Sequence, residues 1–258
     1  MKLFIIIFLL FCTSLSAIDL HLPISAVQNA TSGLVLIYPS PSAASSNPAC
    51  SFTGIETSAT YLFSLEDLPF YNFNVQYGYR NFGFSIGSSF LAHPLYKENN
   101  SMFSLNYTYY KFSIGSSIRY LHNMVKGYHE DSVILADLGL LWQNGNISTG
   151  LSVCNVTHSR FLEEQLPIVY IWESCFSITN KSSLSLGLEK ETDFDFAFKI
   201  ACRYDVHKVL SILSSYQYEP DRIGVGAIFN LKDFSICYSV RTHQYLSLNH
   251  YISLIYAF

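Results

Sequence analysis

Charged residues are scarce in this sequence of 258 residues. Asp, Glu, Lys and Arg together make up 13% of it, against about 25% in an ordinary soluble domain. The net charge is −4, so there is no excess of basic residues that would indicate a nucleic-acid partner. A composition this poor in charge argues against an ordinary soluble protein.

The cysteines do not indicate a structure held together by disulfides. The chain has six cysteines, and one of them, Cys12, lies in the N-terminal apolar run. The remaining odd number cannot all pair, and none of them stands in C-x-x-C spacing, so neither a disulfide framework nor a zinc site is indicated. We predict that these cysteines pack in the interior and that the protein has no metal and no cofactor.

Beyond the N-terminus the sequence has no long apolar run. A helix that spans a membrane would need about 18 consecutive apolar residues. The run from Leu3 to Cys12 is shorter, follows Lys2, and is followed by small residues up to Ala17. This order is typical of a cleaved secretory signal peptide, which we place at residues 1–17. Cleavage after Ser16 and cleavage after Ala17 are both open, and an uncleaved anchor or a buried strand is the alternative.

Aromatic residues, in contrast, are abundant. The chain has 20 Phe and 19 Tyr, and half of all its residues are hydrophobic. A secreted, aromatic-rich chain without helical spans has one other way to enter a membrane. That structure is a closed β-barrel, because it too satisfies every backbone hydrogen bond in lipid.

The apolar residues recur with a period of two, which indicates strands rather than helices. In 70–80 every second residue is aromatic or valine, and Asn, Gln, Gly and Arg occupy the positions between. The same alternation predicts about 14 antiparallel strands of roughly 9–12 residues, long enough to cross a bilayer at a tilt. We therefore predict an all-β, closed transmembrane barrel. The strands are predicted near 55–66, 70–80, 81–91, 101–110, 111–120, 132–142, 146–156, 167–178, 182–190, 195–204, 208–218, 222–230, 233–241 and 245–258.

The connections between these strands differ in length. Every link from an even to an odd strand is tight, whereas 92–100, 122–131 and 157–167 are long links from odd to even strands. Short periplasmic turns and longer outer loops are typical of outer-membrane barrels. This asymmetry favours an even strand number and places both ends of the barrel in the periplasm.

If the aromatic face meets lipid, the other face of each strand lines the lumen. Charges facing lipid would cost about 2–4 kcal/mol each at the midplane, so we expect them on the lumen face. Two interpretations stay open: an ion-pair network that supports a narrow barrel, or a polar path that selects solutes. The predicted lumen residues are Arg80, Arg119, Asp137, Glu173, Glu189, Lys199, Arg203 and Arg241.

H-E-x-x-H is absent. G-x-S-x-G occurs once, at 83–87, but inside an alternating strand and not at the strand-to-helix turn that a catalytic serine of this motif needs. Histidines 93, 122, 129, 158 and 243 fall near acidic residues in or beside the predicted outer loops. An acid–histidine pair there could activate water, but solvated loop histidines are the simpler interpretation. We predict that the protein is not an enzyme.

Residues 18–54 do not alternate and are rich in Ser and Ala. The segment resembles the N-terminal region of the FadL and PorV/PorQ superfamily of outer-membrane barrels, through Ser32-Gly33, Ser42-Ala43-Ala44 and Asn47-Pro48-Ala49. The resemblance implies a plug at the periplasmic mouth, with Gly33, Asn47, Pro48 and Ala49 as its motif residues. Pro48 would end a short helix, and Asn47 could satisfy backbone groups at the start of the first strand. A disordered linker is the alternative.

The last stretch, YISLIYAF (251–258), resembles the closing strand of bacterial outer-membrane barrels. That resemblance implies that Tyr256 and Phe258 form the insertion signal read by the barrel-assembly machinery. The alternative is the core strand of a secreted β-sandwich. His250 departs from the pattern because it lies on the apolar face.

These observations predict three segments: a signal peptide (1–17), a plug (18–54) and a barrel (55–258) in lipid of the bacterial outer membrane. The resemblance implies a FadL-like channel for small solutes, hydrophobic ones included. The alternative is a PorV-like barrel that transports nothing and docks a secretion apparatus or surface proteins.

Overall fold

The alternating segments form strands that close into a barrel, as the sequence predicts. The computed structural model describes residues 24–65, 68–161 and 164–258, so the predicted signal peptide and residues 18–23 lie outside the described residues. Within those ranges, no helix has the length and hydropathy needed to cross a membrane.

Fourteen antiparallel strands form the barrel, and the first pairs with the last. Gly54 lies opposite Ala257, and the pairing continues to Tyr61 opposite His250. Closure leaves the sheet without a free edge. The barrel strands are β1 (Gly54–Tyr61), β2 (Pro69–Tyr79), β3 (Phe82–Ala92), β4 (Tyr96–Tyr109), β5 (Phe112–Val125), β6 (His129–Asn144), β7 (Ile147–Cys154), β10 (Val169–Thr179), β11 (Ser182–Glu191), β12 (Phe196–His207), β13 (Leu210–Tyr218), β14 (Arg222–Leu231), β15 (Phe234–Arg241) and β16 (Asn249–Ala257).

One side of the barrel has longer strands than predicted. β4 begins at Tyr96, β5 extends to Val125 and β6 begins at His129. Two predicted outer loops, 92–100 and 122–131, are therefore largely strand. Their residues are mostly polar, and beyond the apolar belt both faces of a strand meet water, so alternation no longer marks the strand.

The third long loop and the last strand also differ from their predicted structure. The third long loop, predicted at 157–167, contains a two-stranded hairpin formed by β8 (Arg160–Phe161) and β9 (Glu164–Gln165). Phe161 of this loop packs against Leu135 and Leu166 in a buried cluster. The last strand begins at Asn249 rather than at 245, because residues 242–248 form the preceding loop.

The barrel is apolar outside and polar inside. Ile118 on the outer face is 58% exposed, whereas Ser117 next to it on the inner face is 2% exposed. This inversion of the soluble pattern suits an exterior that faces lipid, where polar groups are costly. The lumen is not empty, because a chain segment fills it.

In the described part of the chain, three short helices precede or follow the first strand. They are α1 (Ala26–Ala30) and two 3-10 helices, Pro41–Ser45 and Leu62–Ser64. The hydroxyl of Ser25 caps α1 by accepting a hydrogen bond from the Gln28 N–H at 3.3 Å. Such caps satisfy amide groups that have no partner within the first helical turn.

Candidate functional site

Residues 24–52, which we call the plug, fill the barrel. Every residue of α1 is buried, and Ala26, Val27 and Ala30 pack against Leu213 and Ile228 of the barrel wall. Small side chains at these positions let the helix approach the sheet closely. The predicted inner segment is therefore an ordered part of the lumen, and its alternative, a disordered linker, is wrong for the described residues 24–52.

A glutamate on the wall holds the middle of the plug. Glu173 on β10 is 4% exposed, and its carboxylate accepts hydrogen bonds from the Val35 N–H at 2.8 Å and the Leu36 N–H at 2.9 Å. The Ser185 hydroxyl adds a third bond at 2.6 Å. The predicted lumen residue Glu173 is thus a plug anchor.

A second glutamate anchors the next turn of the plug. Glu56 on β1 is fully buried and accepts a hydrogen bond from the Ser42 N–H at 3.0 Å, at the start of the helix Pro41–Ser45. The sequence prediction did not include Glu56. An available signal is its place as the single acidic residue in 51–65, at an alternate position among Thr and Ser.

The predicted motif Asn47-Pro48-Ala49 lies against strands β5, β6 and β7. The Asn47 side-chain amide donates to the Leu140 carbonyl at 3.2 Å and the Leu151 carbonyl at 3.4 Å, and its oxygen accepts from the Ala49 N–H at 2.9 Å. Asn47 therefore ties the plug to the wall strands and also satisfies the Ala49 N–H on the approach to β1.

Glycines on the wall make room for this motif. A Cβ at Gly115 would lie 2.2 Å from the Pro48 carbonyl oxygen, and one at Gly139 would lie 2.2 Å from the Asn47 Oδ1. Because both positions need the absence of a side chain, the wall is shaped to receive the plug.

Gly33 turns the chain at the end of α1. Its φ is +84°, a region that favours glycine, and its N–H donates to the Gln28 carbonyl at 2.7 Å. The predicted small-residue motif at Ser32-Gly33 is therefore a helix end. The Ser32 hydroxyl also bonds the Ser215 hydroxyl of the wall at 2.8 Å.

Most of the predicted lumen charges face inward and are paired. Arg119 lies 2.5 Å from Asp137, Lys199 lies 2.7 Å from Glu189, and Arg203 lies 2.9 Å from Asp205. Arg241 donates to Gln217 at 2.7 Å. These pairs favour the structural interpretation of the lumen charges.

The prediction for Arg80 is wrong. It lies in the exposed turn between β2 and β3, with a φ of +55°, and its guanidinium stacks over the Tyr79 ring at 5.3 Å. The predicted strand ended one residue too late, since β2 ends at Tyr79. Arg80 therefore does not line the lumen.

Two of the paired arginines also contact the plug. Arg119 donates to the Ser45 carbonyl, and Arg203 lies 5.0 Å from the ring centre of Tyr38. The Tyr38 hydroxyl donates to Asn230 at 3.0 Å. Burial raises the pKa of the Tyr38 phenol, so it stays protonated and donates at neutral pH.

Asp137 links the plug to an outer loop. Its carboxylate accepts from Ser117 at 2.7 Å and from the Asn155 N–H at 2.9 Å, besides pairing with Arg119. Asn155 in turn donates to the carbonyls of Leu166 and Pro167 at 3.0 and 3.1 Å. One buried carboxylate therefore organises both the plug contact and the loop.

A small cleft remains between the plug and strands β2–β5, with a volume of about 50 Å³. Ile24, Ser45 and Ser46 form its plug side. Its wall side includes Phe70, Asn72, Asn74, Ser89, Glu98, Asn100, Met102 and Arg119. This cleft offers space for a small solute beside the plug.

Tyr256 and Phe258 lie at the seam of the barrel. Their rings are 5.7 Å apart, Tyr256 also contacts Phe234 at 4.6 Å, and Phe258 is 56% exposed. The aromatic residues face outward as the alternation predicts. Their role as an insertion signal stays a prediction.

Together these features define a plugged transmembrane β-barrel of the outer-membrane type. No family model and no curated protein matches the sequence, but solved structures of low identity share the fold. The Ralstonia pickettii toluene transporter TbuX has a TM-score of 0.72 at 11% identity, over 93% of this chain and 99% of that one.

Two further structures agree. A mutant of the TodX monoaromatic hydrocarbon channel has a TM-score of 0.73 at 8% identity, over 91% of this chain and 99% of that one. A Pseudomonas aeruginosa FadL homologue has a TM-score of 0.61 at 11% identity, over 92% of this chain and 99% of that one. The chain thus has the FadL-type barrel fold, as predicted; the PorV/PorQ part of the resemblance stays a prediction.

Proposed function

We propose that this protein is a channel of the bacterial outer membrane whose plug controls the passage of small solutes. The observation that carries the proposal is the seating of the plug: reversible hydrogen bonds to Glu56, Glu173 and Ser215 hold it, beside a solute-sized cleft. Support also comes from the fold, since the similar structures are named as a transporter and hydrocarbon channels.

A disulfide staple tests whether the plug must move. The Ser32 and Ser215 hydroxyl oxygens are 2.8 Å apart, so cysteines at these two positions would carry their sulfur atoms close to each other. A Ser32→Cys/Ser215→Cys protein would join plug to wall. The matched control joins two plug residues, Ser25 and Ser42, whose hydroxyls are 3.0 Å apart. Both are made with Cys202→Ala, because Cys202 is an exposed free thiol.

The readout is solute flux into proteoliposomes, before and after oxidation. We expect oxidation to abolish flux in the wall staple, reduction to restore it, and the control staple to conduct in both states. If no variant conducts above empty liposomes, the channel proposal fails and a docking role for a closed barrel takes its place.

A further inference from the structure

Two asparagines of β2 line the cleft without protein hydrogen bonds for their side-chain amides. Asn72 and Asn74 are each 2% exposed. Within the described part of the chain, neither amide atom of Asn72 has a partner, nor does the Asn74 Nδ2. Leaving a buried polar group unpaired is unfavourable, so these atoms are suited to a bound molecule.

The rest of the lining indicates the chemistry of that molecule. Ser89 and Asn100 add neutral polar groups, and Phe70 and Met102 add apolar surface. A side-chain amide offers both a donor and an acceptor, which matches a hydroxyl group, also a donor and an acceptor.

Charge contributes little to recognition here. The cleft is lined by two ionisable residues, Arg119 and Glu98. Arg119 is paired with Asp137 at 2.5 Å, and the Glu98 carboxylate accepts from the Tyr96 hydroxyl at 2.6 Å. A charged solute would compete with these bonds, whereas a neutral solute leaves them intact.

The size of the cleft limits the molecule. Its volume of about 50 Å³ holds about four waters, since one water needs roughly 10–15 Å³ of such space. Three- and four-carbon polyols are of this size. A long acyl chain is not.

From these observations we infer that the cleft binds a small, neutral, hydroxyl-rich solute through Asn72 and Asn74. The inference rests on the proposed channel function and gives it a solute class. That class differs from the hydrocarbons named for the similar structures. A hydrocarbon in the cleft would leave the side-chain amides of Asn72 and Asn74 without hydrogen bonds.

Saturation-transfer NMR on the full-length barrel in detergent tests the inference. The probes are erythritol and butane-1,4-diol, which have the same carbon chain but differ in the two inner hydroxyls, and toluene as the hydrocarbon. We expect saturation transfer from the protein to erythritol, and much weaker transfer to butane-1,4-diol and to toluene. With Asn72→Leu, losing the bonds of one amide should weaken erythritol binding about tenfold or more.

The matched control is Asn123→Leu. Asn123 also faces inward, is 4% exposed and has an unpartnered Oδ1, but it does not line the cleft. The Asn123→Leu protein should bind erythritol like the wild type. If Asn72→Leu does not fold, Asn72→Ser replaces it, because the smaller hydroxyl keeps polarity but cannot span the cleft.

Equal transfer to erythritol and butane-1,4-diol, or equal losses in the Asn72 and Asn123 variants, would overturn the inference. Swelling of proteoliposomes in erythritol separates it from the channel proposal. Erythritol binding without flux keeps the site and removes the channel. Flux of another solute without erythritol binding keeps the channel and removes this solute class.

Discussion

At the scale of residues, two buried carboxylates decide where the plug lies. Glu56 and Glu173 stand on strands that are separate in sequence, yet both accept backbone N–H groups of the plug. Carboxylates make stronger hydrogen bonds to N–H groups than neutral acceptors do. Backbone recognition of this kind fixes the path of the plug without demanding particular plug side chains.

Glu173→Gln should loosen the middle of the plug. The amide has one oxygen, so the Val35 and Leu36 N–H groups can no longer both find a strong acceptor. We expect a loss of about 1–3 kcal/mol in plug docking. Hydrogen exchange of the peptide covering 34–37 should accelerate about tenfold or more, since 1.36 kcal/mol corresponds to a factor of ten.

The control for that change is Ser174→Ala. Ser174 shares a hydrogen bond with Thr149 of the neighbouring strand, so the variant removes a bond within the wall and leaves the plug contacts in place. Equal exchange rates of 34–37 in Glu173→Gln and the wild type would show that the carboxylate does not hold the plug.

Gly115→Ala tests the close approach of plug and wall. The added methyl would lie 2.2 Å from the Pro48 carbonyl oxygen and 2.5 Å from the Ala49 nitrogen, and backbone atoms cannot step aside as a side chain can. Forcing extra volume into a packed site costs typically about 1–3 kcal/mol. We expect faster hydrogen exchange at residues 47–50.

Gly78→Ala is the comparison for this variant. There the nearest atom to the new methyl is the Thr53 hydroxyl at 3.1 Å, which can rotate. Exchange at 47–50 should stay close to that of the wild type. If both alanine variants behave alike, the wall glycines are not needed for seating the plug.

At the scale of elements, the barrel could be predicted from sequence and the plug contacts could not. Alternation marks a strand because one face meets lipid and the other the lumen, so the predicted strands around Tyr71 and Phe84 agree closely with β2 and β3. Tyr96–Asn100 lack that contrast and were predicted as a loop.

For the residues of the site, orientation could be predicted from the sequence, whereas their partners in the plug could not. Inward orientation of Glu173 or Arg119 is encoded in the local pattern, because charge avoids the lipid face. Their partners in the plug lie more than 70 residues away in the sequence, such as Ser45 for Arg119. Local periodicity carries no information about such pairings, which depend on barrel closure and on the path of the plug.

Cys50 at the end of the plug offers a reporter of this element. Its thiol is buried, and its carbonyl accepts from Gln76 at 2.6 Å and Asn106 at 3.1 Å. Burial raises the pKa of the Cys50 thiol. Because the thiolate is the reactive form, Cys50 should resist maleimide at pH 7 and react only slowly as the pH rises towards 9.

Mass spectrometry of the labelled protein measures this reactivity. Gly115→Ala, which displaces the neighbouring Pro48, should speed modification of Cys50, and Gly78→Ala should not. Denatured protein gives the fully labelled reference. Rapid labelling of Cys50 in the folded wild type at pH 7 would mean that this end of the plug opens freely.

At the scale of the whole molecule, the outer surface must match a bilayer. Ile252 lies at the middle of β16 and is 53% exposed, whereas the next residue, Ser253, is 1% exposed. Ser253 accepts a hydrogen bond from the plug residue Ala26 at 2.8 Å. A single strand thus presents lipid on one face and the plug on the other.

Ile252→Arg should therefore destabilise the barrel in lipid. An arginine on the lipid face near the midplane costs about 2–4 kcal/mol and close to nothing near the interface. The matched variant is Tyr110→Arg, since Tyr110 lies in the turn between β4 and β5 and is 82% exposed. The measurement is the free energy of unfolding in phospholipid vesicles, followed by the loss of the fast-migrating folded band on unboiled gels. Tyr110→Arg should unfold like the wild type and Ile252→Arg at clearly lower denaturant. If both variants unfold together, the aromatic and aliphatic exterior does not face lipid, and the barrel would have to bury that surface against another protein.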